Sequence, residues 1–590
     1  DKTTGQGYFA KDTTVQEFTK PDAQKETEFT KAILGDRSNK KYYEDAGVYV
    51  NGKYNFTADT TMNVENNSQV AGTWLWATAA GIYSGYNQEN VNLDLNGKKL
   101  NINLVTDQDT AGIAAIAANS KVEIDNAGPM SVYAESTKGS NVATLFVNGG
   151  GQLFIHNGGD DAESKILTLR GKTTNSTNGV VIKSKNGVSG ERSWLKVDGL
   201  VDIEADTTDG VGMAEGLLAV ASTIDVGGGR IEAANGAWAA IRAYGEFVSP
   251  NYGVVNFNVL KDEDGNAIGA GDNRAVVIGD VVTNGGMGTK GRISLGMKGE
   301  NSYWEGNYAD TRGYGVTQGQ LGAVNLFMED GAHWKGFGNG SMNVKLDGAK
   351  TNWYGFSISD GLQLSLKNGA TWYNAITAEQ VDQSSNHTDA KIGWLTSDNG
   401  FIDMTGSRVF TAKSSSLNGG TTADGSSSIT ESENGITGNV VVNNYSGNAT
   451  VIYKHQKDKD GISIVGGNFT IKNAAEGSKI TLSTDNNGID VDNIYDVNDT
   501  LGGLAKKLFY LGYIDGERNL DGYVQIAEGL TSRSAAMRAG DVSFDEGTGQ
   551  GSYDASSLKP EIKYPTFQTD VAYSKAITGN VRNDIEYVKT

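Results

Sequence analysis

The chain has 590 residues, with 79 glycines, 5 prolines, no cysteine and a formal net charge of −21. The lack of cysteine excludes disulfide scaffolds, cysteine-ligated zinc, iron–sulfur clusters and thiol catalysis, and the low proline content excludes collagen. Nucleic acid is an unsuitable partner, because its binding needs a dense positive face. No apolar run reaches the roughly 18 residues of a membrane-spanning helix, so we expect no membrane contact by this segment.

The residue pattern divides the chain into four segments. They are an N-terminal segment or linker at 1–45, strands and turns at 46–495, a C-terminal cap at 496–550, and a linker at 551–590 that begins a second tandem module. No signal peptide is visible at Asp1, so we expect a mature or trimmed form.

The segment 46–495 repeats one local pattern of alternating apolar residues around a glycine-containing pair. Leu93 and Leu95 precede Asn96-Gly97 in this way, and Leu195/Val197 and Ile224/Val226 begin similar segments. Alternation places side chains on one face of a strand, while Asn-Gly and Asp-Gly, including Asp198-Gly199, supply the positive φ of a turn. Antiparallel hairpins and a parallel β-helix both use this pattern.

A phrase that occurs three times decides between these two folds. It reads VNLFMEDGAHWKGF at 324–337, NVKLDGAKTNWYGF at 343–356 and LQLSLKNGATWYNA at 362–375. Trp334, Trp353 and Trp372 recur in it at equal intervals. A meander of hairpins gives no reason for this spacing, whereas stacked coils of about 20 residues would place each Trp on its copy. The three Trp residues are then either packing residues or a sugar-stacking platform.

A second repeat lies further along the chain, where 438–453 matches 467–482 without a gap. The matched pairs are Val440 with Phe469, Val442 with Ile471, Asn444 with Asn473, and Val451 with Ile480. Polar, low-complexity stretches at 187–193, 261–273 and 414–432 are expected to be loops that leave the coils.

The cap and the tandem module are predicted from the end of the chain. Leu501, Leu504, Ala505 and Leu508 have helical spacing, which predicts a short helix covering the open end of the coils. The sequence at 565–589 resembles that at 21–45 without a gap, which predicts tandem copies in the full-length protein.

Known catalytic and metal-binding motifs are missing from the sequence. A Gly-Lys-Thr at 171–173 has Ile166 where a phosphate loop needs glycine, and neither a Gly-x-Ser-x-Gly elbow nor a His-Glu-x-x-His helix occurs. The four histidines, His156, His333, His387 and His455, are far apart in sequence. We therefore predict no catalytic residue, no cofactor and no metal site, and the pattern identifies no binding residue.

Two acidic stretches, at 262–265 and 457–461, suggest either turns or calcium loops. Neither completes a calcium-loop pattern with its closing Glu, and Asp-Gly turns occur throughout the chain, which favours turns.

VNLFMEDGAHWKGF, VVVNNYSGNATVIY and KKLFYLGYIDGERNLDGYVQIAEGLTS resemble passenger domains of autotransporter (type V secreted) adhesins of Gram-negative bacteria, over about 46–535. The resemblance implies a right-handed, single-stranded parallel β-helix, displayed on the cell surface through an outer-membrane barrel. No alternating barrel strands follow 535, so we expect the barrel to lie outside this chain.

The sequence thus predicts an all-β parallel β-helix with a C-terminal cap, acting as a non-catalytic, surface-displayed adhesin in cell–cell or host adhesion, aggregation or biofilm formation. The expected partners are a host glycan or protein, or the same module on another cell. Two alternatives remain: a structural stalk or filament module, and a glycan-degrading enzyme, since some parallel β-helix proteins are polysaccharide lyases or hydrolases.

Overall fold

A computed structural model describes a large part of the chain. The described residues are 8–9, 13–15, 46–49, 52–56, 59–66, 79–85, 91–106, 110–116, 118–136, 142–173, 180–185, 192–207, 214–234, 237–245, 252–283, 291–309, 323–406, 408–411, 428–431, 438–458, 461–465, 467, 469–475, 478–484, 510–513, 524–526, 541–545 and 550–554. Residues 498–509 of the predicted cap helix, and both copies of the predicted tandem sequence, lie outside this set.

The chain is nearly all β and forms two compact units, one mainly from residues up to 309 and the other mainly from 328 onwards. The strands up to 309 are β1 (Tyr8–Phe9), β2 (Thr13–Val15), β3 (Ala46–Tyr49), β4 (Gly52–Phe56), β5 (Thr60–Asn66), β6 (Ala79–Gly85), β7 (Val91–Asp94), β8 (Leu100–Thr106), β9 (Thr110–Ile116), β10 (Lys121–Asp125), β11 (Met130–Ser136), β12 (Val142–Asn148), β13 (Gln152–Ile155), β14 (Leu167–Thr173), β15 (Val180–Lys185), β16 (Trp194–Thr207), β17 (Glu215–Val220), β18 (Thr223–Ala234), β19 (Ala239–Tyr244), β20 (Gly253–Phe257), β21 (Val259–Lys261), β22 (Ala267–Ala270), β23 (Ala275–Ile278), β24 (Val281–Val282), β25 (Gly291–Lys298), β26 (Tyr303–Glu305) and β27 (Tyr308–Ala309).

The later strands are β28 (Val324–Glu329), β29 (His333–Lys335), β30 (Gly338–Asn339), β31 (Met342–Asp347), β32 (Asn352–Tyr354), β33 (Leu362–Lys367), β34 (Thr371–Tyr373), β35 (Ala390–Asp403), β36 (Arg408–Thr411), β37 (Ser428–Glu431), β38 (Val440–Asp458), β39 (Gly461–Val465), β40 (Phe469–Ala474), β41 (Lys479–Thr484), β42 (Tyr510–Tyr513), β43 (Val524–Ile526), β44 (Asp541–Asp545) and β45 (Gln550–Asp554). Among the described residues, a short 3-10 helix spans Ala162–Ser164 and an α-helix, α1, spans Ala378–Gln383.

The first unit consists of three parallel ribbons, in which each strand pairs with the corresponding strand one coil earlier and one coil later. The first ribbon runs β1-β4-β7-β10-β13-β16-β18-β20-β25. The second runs β2-β5-β8-β11-β14-β16-β18-β23-β26. The third runs β3-β6-β9-β12-β15-β17-β19-β24-β27. The arrangement is solenoid-like and parallel, as predicted, and the antiparallel meander is wrong for these strands.

Each coil of the first unit is longer than the predicted length of about 20 residues. Leu93, Ile124 and Ile155 are aligned partners in successive coils at equal intervals, and Val197 follows after a still longer interval. The prediction is wrong here because a coil contains three strands with their connections, and some connections carry insertions. All four side chains are buried, so each coil contributes apolar surface to one core, at roughly 1.5–3 kcal/mol per large side chain.

The second unit contains the shorter coils, of about 20 residues, and the three Trp residues form a ladder within it. Trp334 pairs with Trp353, and Trp353 with Trp372. Their ring centroids lie 4.8 Å and 5.2 Å apart with interplanar angles of 5° and 13°. All three side chains are fully buried. The packing interpretation is therefore confirmed, and these rings cannot stack on a sugar.

The repeat at 438–453 and 467–482 is confirmed in its first half and wrong in its second. Val440–Phe469, Val442–Ile471 and Asn444–Asn473 are partners in the parallel pairing of β38 with β40. Val451 pairs with Leu482 instead of Ile480, because the connection from β40 to β41 adds residues that the continuous strand β38 does not have. Helix α1 was not predicted. It begins with a capping box between Thr377 and Gln380, a short-range signal that the strand-and-turn interpretation of this region overlooked.

The turn predicted at Asp198-Gly199 is wrong, because β16 runs through both residues with a register shift between Val197 and Leu200. Neither residue has a positive φ. Glycine is needed here for space instead, since a Cβ on Gly199 would lie 2.4 Å from the Asn157 carbonyl oxygen. The excursion at 261–273 is confirmed, and the antiparallel hairpin β21–β22 that forms it begins slightly earlier, at Val259.

Candidate functional site

The outward side of the first ribbon carries an exposed tryptophan that is held in one orientation. Trp194 is 39% exposed, and its indole N–H donates to Asp225 Oδ2 at 2.7 Å. Asp225 is itself buried and accepts at Oδ1 from Asn256 Nδ2, at 2.8 Å, and from Lys261 Nζ. Because several donors hold the carboxylate, the ring that it anchors is preorganised rather than free to rotate.

Phe154 extends this aromatic surface toward the preceding coil. Its ring meets Trp194 edge to face, with centroids 5.1 Å apart and planes at 77°. The ammonium group of Lys121 lies 4.9 Å from the Phe154 centroid, a cation–π distance. We call the surface formed by Lys121, Phe154 and Trp194, together with the buried side chains of Asp225 and Asn256 that support it, the Trp194 patch.

An acid–imidazole cluster lies beside this patch on the same ribbon. His156 Nδ1 is 2.7 Å from Asp198 Oδ2, and His156 Nε2 is 3.5 Å from Glu123 Oε1 and 3.9 Å from Asp125 Oδ1. The register of the strands explains why these side chains meet. Ile155 pairs with Ile124 in the preceding coil and with Val197 in the following coil. The residues that come directly after these three are His156, Asp125 and Asp198. Among the described residues, Glu123, Asp125 and His156 are the group whose ligand atoms are close enough to hold a metal ion, all within 4.8 Å.

The charges of the cluster are set by its neighbours. Burial alone would raise the pKa of Glu123, but the hydrogen bond and charge of Lys121, and after them the nearby His156, hold that pKa below its ordinary value. Lys121 Nζ lies 2.8 Å from Glu123 Oε2. Asp198 Oδ1 accepts from the backbone N–H groups of Asn157 and Gly158, at 3.0 and 2.9 Å. Glu123 is therefore kept ionised, and the Asp198 carboxylate is held in position.

A second exposed tryptophan lies on the third ribbon and has a different environment. Trp238 is 38% exposed. The Arg242 guanidinium lies 4.0 Å from its ring centroid and 4.6 Å from that of Tyr244, and it also forms an ion pair with Glu215 at 2.9 Å. One face of Trp238 is therefore occupied by a cation of the chain itself.

The structure separates the histidines that the sequence singled out. His333 is buried beside Tyr354, and His387 Nδ1 lies against the Ser384 carbonyl oxygen in the turn after α1. His455 lies on β38, where it pairs with Ile464 of β39. Of His156, His333 and His387, only His156 lies among carboxylates. The sequence alone did not reveal this cluster, because the carboxylates belong to other coils.

The acidic stretch at 262–265 forms the turn of the β21–β22 hairpin. Asp262 Oδ1 accepts from the backbone N–H of Asn266 at 2.8 Å, and these hydrogen bonds lower the pKa of Asp262. In the stretch at 457–461, Asp458 of β38 lies opposite Gly461 of β39, and residues 459–460 lie outside the described residues. The first stretch therefore has the geometry of a turn, as the sequence favours.

Comparison with protein-family models, curated proteins and solved structures found no match for this chain. Within the part of the chain that the structure describes, no helix is both long and apolar enough to cross a membrane. The functional argument therefore rests on the geometry of the surface.

Proposed function

We propose that this protein is a non-catalytic adhesion module that binds glycans at the Trp194 patch. The observation that carries the proposal is that Trp194 is exposed but fixed by a buried carboxylate. An exposed tryptophan loses apolar contact with the core, and fixing its ring removes conformational freedom in advance of binding. That combination suits a surface on which a rigid, partly apolar ligand stacks.

A sugar ring has the matching chemistry. Its C–H face is apolar and stacks on an indole, while its hydroxyl groups need hydrogen-bond partners at the edge of the ring. Lys121 provides a polar group beside the Phe154 ring. A single open patch of this size gives weak binding, so tandem copies of the module would strengthen attachment through avidity.

The finer architecture that we propose is a right-handed, single-stranded parallel β-helix with a C-terminal cap over 496–550. The parallel ribbons support it, as does the resemblance of the repeated phrases to autotransporter passengers. By the same resemblance we propose display on the surface of a Gram-negative-type bacterium, through an outer-membrane barrel that is not part of this chain. Cell–cell or host adhesion, aggregation and biofilm formation are the roles that such display would serve.

The test is binding of the purified full chain to a panel of immobilised oligosaccharides, with Trp194→Ala and Trp238→Ala compared side by side. The two residues have nearly equal exposure, 39% and 38%, so they form a matched pair. We expect Trp194→Ala to weaken binding at least about tenfold, as loss of a central aromatic contact does, and Trp238→Ala to bind as the parent does. Equal loss in both variants, or no binding by the parent, would contradict the proposal.

A structural stalk or filament module is the second candidate, and the buried Trp ladder favours it. Stacked coils with a continuous buried core make the module stiff, and this stiffness needs no ligand. Cells that display the parent and cells that display Trp194→Ala would then adhere equally to every surface. Release of new reducing or unsaturated ends from a polysaccharide would instead support an enzyme and count against both candidates.

A further inference from the structure

The acid–imidazole cluster has the composition and spacing of a metal site. We propose that Glu123, Asp125 and His156 bind one divalent transition-metal ion of the zinc class. An imidazole nitrogen and two carboxylate oxygens are a ligand set that zinc accepts. The imidazole favours zinc over calcium or magnesium, which prefer all-oxygen sites.

The distances within the cluster leave room for a metal ion between its ligand atoms. His156 Nε2 lies 3.5 Å from Glu123 Oε1 and 3.9 Å from Asp125 Oδ1, beyond the roughly 2.7–3.2 Å of a hydrogen bond. Two ligands at about 2.0–2.1 Å from a tetrahedral zinc are themselves about 3.3 Å apart. The two separations from His156 Nε2 therefore require only a small contraction to fit one ion, and the oxygens of Glu123 and Asp125 lie within 4.8 Å of each other.

The other nitrogen of the imidazole is already prepared for this role. His156 Nδ1 lies 2.7 Å from Asp198 Oδ2, so this carboxylate holds the ring with Nε2 facing Glu123 and Asp125. Metal-bound histidines commonly have such a carboxylate behind them. Asp198 is held in turn by two backbone N–H groups, so it acts as a positioning residue.

The electrostatics and the exposure of the cluster agree with an accessible ion. Three carboxylates surround one imidazole, and Lys121 is bound to the far oxygen of Glu123, Oε2, at 2.8 Å. A divalent cation would offset the mutual repulsion of the carboxylates. The side chains of His156, Asp125 and Glu123 are 35%, 36% and 27% exposed, so water can complete the coordination.

The experiment is isothermal titration of the chelator-treated full chain with Zn²⁺ alone, followed by the same titration of His156→Ala and His387→Ala. We expect one ion per chain with micromolar affinity, complete loss of that site in His156→Ala, and no change in His387→Ala. Failure of the parent to bind Zn²⁺, or equal binding by His156→Ala, would overturn the proposal.

Two further variants guard against a folding artefact. Glu123→Gln is isosteric and keeps a partner for Lys121, so its circular dichroism should match that of the parent while Zn²⁺ binding falls at least tenfold. Asp198→Asn should retain one ion but weaken its affinity about 10–100-fold. Unchanged affinity in Glu123→Gln would reject the assignment of the ligands. Trp194→Ala should bind Zn²⁺ as the parent does, so this test is independent of glycan binding.

Discussion

Asp280 is a half-buried carboxylate whose environment destabilises its ionised form. It precedes β24, and burial raises its pKa, although a hydrogen bond from the Asn307 backbone N–H, at 2.9 Å, partly opposes the rise. The unfolded chain ionises this group at its ordinary pKa. The stabilisation associated with Asp280 is therefore complete below the ordinary pKa and is lost as pH rises through the raised value.

Asp280→Asn should therefore raise the melting temperature at pH 7, by about 1–3 °C. The amide keeps an oxygen that accepts from Asn307 but has no charge to desolvate. The advantage should shrink as the pH is lowered toward the ordinary pKa of aspartate, where the parent carboxyl is protonated as well. Thermal melts of both proteins between pH 4 and pH 8 (roughly the range over which the carboxyl titrates) measure this.

The control is Asp272→Asn at an exposed carboxylate. Lys298 lies 2.7 Å away, and its hydrogen bond and charge lower the pKa of Asp272. Since this carboxylate is not desolvated, its removal should give no gain at pH 7. A gain in Asp272→Asn equal to that in Asp280→Asn would show that net charge, rather than burial, is the cause.

In the Trp ladder, the central ring should contribute more to the stability of the fold than an end ring. Trp353 stacks on both Trp334 and Trp372, while Trp372 continues on its far side to Ile402. Each indole N–H also donates to the carbonyl oxygen of a glycine, Gly336 for Trp353 and Gly355 for Trp372. The two sites therefore differ mainly in the number of aromatic stacks, each of which is worth about 0.5–1.5 kcal/mol.

Trp353→Phe should cost about 1 kcal/mol more stability than Trp372→Phe, because it weakens two stacks instead of one. Both variants lose one buried indole and leave one glycine carbonyl without its donor. The losses of burial and of hydrogen bonding are therefore similar in the two variants, and the number of stacks is what differs. Urea unfolding followed by near-UV circular dichroism measures the difference. Equal costs would mean that cavity formation, rather than stacking, dominates at both sites.

The pairings of the coils could be predicted wherever the sequence repeats without insertions. Val440 and Phe469 were matched from the offset between the two copies alone, and they are partners. The acid–imidazole cluster could not be found in this way, since His156 meets Asp125 and Asp198 at two unequal intervals along the chain. The longer interval, from His156 to Asp198, includes a connection whose length follows no repeat. The equal spacing of Leu93, Ile124 and Ile155 was a signal that could have aligned Asp125 with His156.

At the scale of the whole molecule, the charge of −21 affects which glycans can approach the Trp194 patch. A strongly negative chain repels polyanions at distances up to about 10 Å in 0.1 M salt. We therefore expect neutral oligosaccharides to bind more tightly than sulfated ones of the same length. When binding is measured between about 0.05 and 0.5 M NaCl, the difference in affinity between neutral and sulfated oligosaccharides should decrease as salt screens the repulsion.

Preferential binding of the sulfated sugars, with affinity that falls as salt rises, would contradict this prediction. It would mean that local cations such as Lys121 and Lys261, which already contact Glu123 and Asp225, outweigh the net charge of the molecule. A Lys121→Gln variant distinguishes the two cases, because it should lose affinity only for the anionic sugars if the local cation dominates.

The exact register of the Trp ladder has an evolutionary consequence. Trp334, Trp353 and Trp372 are equivalent positions in successive coils, so removing residues 335–353 would join Trp334 directly to Tyr354 and leave it facing Trp372. A gene could gain or lose one such coil by slipped replication between its repeated segments without changing the alignment of the coils that remain. Related strains would then differ in coil number here, while sharing the turns on either side.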